Sequence, residues 1–189
     1  MFEKLKNWIG KLGSKKSGPI QEKDIKRLTA LHEAAHVVTT YFSGYHSLVG
    51  KICINYDTTG ETFVSLSKKK INAMGKGQDT TIMKDPEVVI DAAIIFYSGF
   101  EAEKIYCKKI NVKPNISFSM NDYNNVDELI NNADPSVAIT KEKLIEFSNK
   151  IVNRQWNTIE TVAEQLLQSK NNCLEAFEVL DILDRNKPE

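Results

Sequence analysis

The sequence predicts a mostly α fold with a small β-hairpin or sheet, an α+β domain that closes in a C-terminal helical bundle. Three observations predict it. Apolar residues recur at helical spacing through most of the chain. Short β-type runs are confined to residues 50–66. With 189 residues and 41% hydrophobic side chains, the chain can bury one sizeable core.

Residues 1–19 read as a basic amphipathic segment and linker, ahead of a domain over 20–189. Phe2, Leu5, Trp8, Ile9 and Leu12 recur at helical spacing beside Lys4, Lys6, Lys11, Lys15 and Lys16. That pattern suits contact of residues 1–18 with an anionic membrane surface, or a terminal helix packed on the domain. Gly13, Ser14, Ser17, Gly18 and Pro19 supply the linker.

The first strong helix is expected from about Asp24 to Phe42 or Ser43, with Leu28, Leu31, Ala35, Val38 and Phe42 as its core stripe and Gly44 to stop it. Strands over 50–56 and 61–66 follow, joined by Asp57, Thr58, Thr59 and Gly60 as a hairpin. Residues 67–80, with Gly75, Gly77 and the run Lys68 to Lys70, read as an exposed loop. A second helix should open with Asp85 as N-cap and Pro86 at its first position, and run to about Cys107. Its Ala92, Ala93, Gly99 and Ala102 admit a close neighbour. A third helix is expected from Ser119 to Asn132, then a long one over 140–169 and a shorter one over 174–184.

Composition narrows the function classes. The 25 basic and 25 acidic residues cancel, so the total carries no footprint for nucleic acid. No run approaches the roughly 20 apolar residues that span a bilayer; the nearest, over 88–100, is short and contains Asp91. No secretory signal pattern follows Met1. Cys53, Cys107 and Cys173 are odd in number and far apart, which reads as reduced thiols and a cytoplasmic, reducing compartment, peripheral to a membrane if residues 1–18 engage one.

The chemistry is carried by His32-Glu33-Ala34-Ala35-His36, an H-E-x-x-H sequence. Positions four apart stand one above the other on a helix, so both imidazoles can face one zinc ion. Glu33 then lies where it can take a proton from water attacking a carbonyl, as the general base of a metallopeptidase. A third ligand must come from elsewhere. Phe42 occupies the place of a third histidine in an extended motif, and His46 lies beyond the helix end, poorly placed to reach back. Glu101, Glu103 and Asp122 are the carboxylate candidates by position. Ser119-x-x-Asp122 also has the form of a capping box.

The zinc-binding helix, the later run from Ser98-Gly99-Phe100-Glu101-Ala102-Glu103 to Tyr106, and Asn121-Asp122 together resemble the peptidase domain of FtsH-type ATP-dependent zinc proteases, over residues 24–184. The resemblance implies His32, His36 and Asp122 as zinc ligands, Glu33 as base, and Glu103 as a supporting residue behind the ligands. It implies a zinc-peptidase domain with one zinc per chain; without its own unfoldase the chain should hydrolyse unfolded or flexible polypeptides. Members of that family assemble into rings, which leaves a homo-oligomer open here, although the ATPase part that helps hold such rings is not in this sequence. Ala35 stands where the family has glycine, and Lys104 replaces a second acidic residue. Neither change removes a ligand. The chain has no phosphate-binding GxxxxGK[ST] loop, so a separate ATPase partner is the expected source of any ATP-driven unfolding. The rival reading is a catalytically silent binding or regulatory module on the same fold; retention of Glu33 speaks against it.

Overall fold

The computed structural model describes residues 21–55, 59–136 and 138–186. The basic segment over 1–18 and part of the hairpin turn lie outside them. Helix α1 (Glu22–Phe42) is the central element. Between Leu28 and Thr40 nearly every residue is buried, so it is enclosed on all sides rather than along one stripe. Phe42, expected in the core, is the last residue of the helix and is 45% exposed, although Thr39 and Thr40 of the same turn are buried.

After α1 the chain forms β1 (His46–Ile54) and β2 (Gly60–Leu66), an antiparallel pair. β1 starts four residues earlier than its sequence pattern suggests. Gly50 takes a left-handed φ of 73°, and the pairing register shifts between Leu48 and Ile52, so the strand continues through a bulge. A third strand, β3 (Cys173–Glu175), pairs with the other side of β1 and gives the order β2-β1-β3. Its residues partly fell within the expected last helix. They are diverted because Cys173 lies opposite Cys53 in the register, and the two form a disulfide across 120 residues of sequence. The reduced-thiol expectation is thus corrected for this pair, and the argument it supplied for a reducing compartment goes with it. Cys107 is free and buried, and burial pushes its thiol pKa up.

The segment over 67–80 is not simply a loop. Ser67 caps a short helix, α2 (Lys68–Ala73), that anchors buried Ile71 against Tyr45 and Val88. A 3₁₀ turn (Ile82–Lys84) leads to α3 (Pro86–Lys109), where the Asp85 carboxylate accepts from the Glu87 and Val88 amides as expected. A second 3₁₀ turn (Ile116–Ser119) precedes α4 (Met120–Asn132). The long helix expected over 140–169 is two, α5 (Lys141–Arg154) and α6 (Trp156–Gln168), broken at Gln155. No glycine or proline marks the break. α5 packs on α3 and α6 packs on α1, so the kink serves two different partners. α7 (Ala176–Arg185) ends the described chain behind a capping box between Glu175 and Glu178.

The main core joins α1, β1, α6 and α7 through residues such as Leu31, Val38, Ile52, Ile159 and Leu166. A smaller cluster around Tyr97, Val126 and Leu144 ties α3, α4 and α5. The result is a mostly helical α+β fold, and none of its described helices is long and apolar enough to cross a membrane.

Candidate metal centre

His32 and His36 stand on the face of α1 that meets α3 and α4. Their Nε2 atoms are 2.9 Å apart, and Asp122 Oδ2, from the first turn of α4, lies 3.0 and 3.5 Å from them. The structure therefore brings together three of the residues singled out from sequence, His32, His36 and Asp122, as a group that could hold a metal ion.

The hydrogen bonds behind the ligands fix where the protons are. His36 Nδ1 donates to the Ile95 carbonyl at 2.8 Å, a partner that only accepts. His32 Nδ1 faces Glu103 Oε1 at 2.7 Å. With both rings neutral, each would direct an Nε2 lone pair at its neighbour and at the Asp122 carboxylate. Three acceptors would then converge with no donor among them, an arrangement relieved by a proton on a ring or by a cation between them. Tetrahedral zinc with ligands at 2.0–2.1 Å sets ligand atoms about 3.3 Å apart, close to the observed separations. The donor set and its spacing fit a metal ion.

Charge makes the same point. Glu33, Glu103 and Asp122 bring three carboxylates to two imidazoles. Burial alone would lower the His32 pKa, yet hydrogen bonds to Asp122 and Glu103, with the charge of Glu33, push it up to about 10. Burial raises Asp122, but the two histidines hold it well below the usual carboxylate range. The site draws positive charge to itself, whether proton or metal.

Close packing enforces this geometry. A Cβ at Gly99 would come within 2.5 Å of His32 Cε1, so only glycine lets the ring lie flat on α3. A Cβ at Gly60 would overlap the Glu33 carboxylate. Glu33 Oε2 accepts from Thr62 Oγ1 of β2 at 2.5 Å, which aims it into the groove. Ser119 does not cap α4; its hydroxyl donates to Glu103 Oε1 at 3.1 Å, so the capping-box form gives way to support of the carboxylate behind His32.

Two other candidates lie elsewhere. Glu101 is fully buried and turns toward Lys104 and Asn149. His46 pairs with Asp91 at 2.6 Å. Gly60 and Ser119 were not marked as site residues in the sequence. Gly60 reads there as part of a turn and Ser119 as a cap.

The site opens on a groove of about 820 Å³. β2 forms one wall and α4 the other, with Leu28, Ile95 and Phe96 among the apolar residues between them. β2 is the outer strand of the sheet, so among the described residues its far edge has no strand partner. No family model and no curated protein matches the chain.

Proposed function

We propose that the chain is a zinc metallopeptidase that cleaves unfolded or flexible polypeptides. The observation that carries the reading is the convergence of two Nε2 lone pairs and the Asp122 carboxylate on one point, with Glu33 beside it at the groove. The sequence resemblance to FtsH-type peptidase domains assigns these residues the same roles, with one zinc per chain.

His32, His36 and Asp122 would hold the ion, and Glu103 and the Ile95 carbonyl keep both imidazoles in the ligating tautomer. Bound zinc would supply Lewis acidity to the scissile carbonyl and to the attacking water. Glu33 takes the proton that water loses as its oxygen bonds to the carbonyl carbon. As the C–N bond breaks, Glu33 returns that proton to the departing amine. Thr62 holds Oε2 of Glu33, leaving Oε1 for the transfer. An extended substrate adds to the free edge of β2 and so passes the base. A separate ATPase, a homo-oligomeric assembly and a membrane contact through residues 1–18 belong to the same proposal as its means of substrate delivery.

The test is metal content and casein hydrolysis of the purified chain beside its Asp122→Ala variant. About one zinc per chain in the parent, lost with hydrolysis in the variant, is expected. Full zinc retention in the variant removes Asp122 from the ligand set, and a parent that takes up no zinc on reconstitution sinks the enzyme reading.

A further inference from the structure

The groove extends past the metal centre to a second buried histidine that the proposed reaction does not use. His46 opens β1, is buried, and lines the groove together with Val64, Leu66, Ala92, Phe96 and Leu129. Its Nδ1 lies 2.6 Å from Asp91 Oδ2. Asp91 is itself fixed, accepting from the Ser43 hydroxyl and from the Gly44 amide at 3.4 Å. An ionised carboxylate accepts only, so the neutral imidazole carries its proton on Nδ1 and keeps a lone pair on Nε2. Nε2 has no partner among the described residues, and it is not one of the fully enclosed unsatisfied atoms. It therefore meets solvent where the imidazole lines the groove.

Placement relative to the base follows from the two elements that carry them. Asp91 lies four residues before Ile95, whose carbonyl holds His36, or about 6 Å along α3. On the sheet, His46 pairs with Leu66, four residues from the Thr62 that holds Glu33, or roughly 13 Å along β2. A substrate strand lying on β2 with its cleaved bond at Glu33 reaches His46 two to four residues away. At that point Val64, Leu66, Ala92 and Phe96 are apolar, and the hydrogen-bonding side chains are the buried His46 and the exposed Ser65. Such a pocket selects an apolar body with a polar tip. Asp91 behind the ring disfavours acidic side chains, and the apolar walls disfavour cationic ones.

We propose that His46 is a specificity-determining residue that accepts a hydrogen bond from a phenolic hydroxyl, so that this arm of the groove takes a substrate tyrosine in preference to phenylalanine. The proposal rests on the peptidase reading for its substrate, but its binding step can be read without turnover.

The test uses peptides sharing one cleavable bond, with tyrosine, phenylalanine or O-methyltyrosine at each of four positions on either side. The zinc-loaded parent should prefer tyrosine about five- to tenfold in kcat/KM at one position, with O-methyltyrosine behaving as phenylalanine. His46→Leu should bring that ratio to about one while phenylalanine peptides are still cleaved, and His46→Gln should keep part of it. With only three histidines in the chain, ¹⁵N-imidazole spectra give a second readout. The His46 Nε2 signal should shift with the tyrosine peptide and not with the phenylalanine one. A ratio of one at every position, or a preference that survives His46→Leu, overturns the proposal. Absence of cleavage with a tyrosine-specific Nε2 shift defeats the peptidase reading alone; absence of that shift defeats this one. Should His46→Leu not fold, the spectra and His46→Gln decide.

Discussion

Two histidine clusters are buried along α1, one at its middle and one where its C-terminal end meets β1, and they are balanced in opposite ways. At the first, His32 and His36 meet Glu33, Glu103 and Asp122, with no lysine or arginine among the described partners. At the other, His46 and Asp91 sit beside Lys70, whose ammonium bonds the carbonyls of Thr40, Ser43 and His46 at 3.1, 2.9 and 2.6 Å. The second cluster supplies its own counter-charge and satisfies the open carbonyls at the helix end. The first has no such cation of its own, so its carboxylates are balanced only by a proton or an ion that it takes up. A buried polar cluster that compensates its own charge has no call for an ion, and one that does not is a place for a cation. That contrast, more than the presence of histidine, separates the candidate centre from the rest of the interior.

The sharpest way to break the comparison is at Glu33. Replacing it with glutamine removes a base while keeping size and the Thr62 contact. Hydrolysis should fall by roughly 10²–10⁴, with metal content unchanged by elemental analysis. An equal rate in Glu33→Gln and parent would make the uncompensated cluster a binding site without turnover, which is the silent-module reading. A smaller effect is expected one layer out. Glu103→Gln keeps a partner for His32 and Ser119 but removes one of three negative charges. Zinc affinity, measured by competition with a chelator, should weaken by about 10- to 100-fold. Unchanged affinity would show that the local charge excess does not contribute to metal capture.

How much of this was legible in the sequence follows the same division. His32, Glu33 and His36 were readable because one helix sets their spacing, and four residues on an α-helix allow few outcomes. Asp122 and Glu103 were placed by resemblance; by position alone Glu101 was an equal candidate, and the structure turns it to Lys104 and Asn149. The long helices were visible from their period, though the break at Gln155 was not, since packing against two different helices leaves no local mark. β3 is three residues long and exists through its pairing with β1, so neither it nor the Cys53–Cys173 bridge had a local signal. Lys70 was hidden most completely. In a run of three lysines it reads as a solvated face, and only tertiary structure distinguishes it from Lys68 and Lys69.

Lys70 also gives the smallest and most selective test of the contrast. α1 has no basic residue in its last turn, so this ammonium, arriving from α2, is the cation that its C-terminal carbonyls receive. Burial pulls the Lys70 pKa down, with Asp91 partly offsetting, so the group is held at some cost in exchange for those bonds. Lys70→Met keeps the stem and removes the charge. It should destabilise the fold by about 1–2 kcal/mol, seen as a Tm lowered by roughly 3–6 °C. Lys70→Arg should recover only part, because a planar guanidinium cannot gather carbonyls converging on one point as an ammonium does. Zinc content should stay at the parental level in both variants. Loss of zinc with Lys70→Met would mean that the two clusters are coupled, and that the helix holds its ligands in register only while its C-terminal end is tied down.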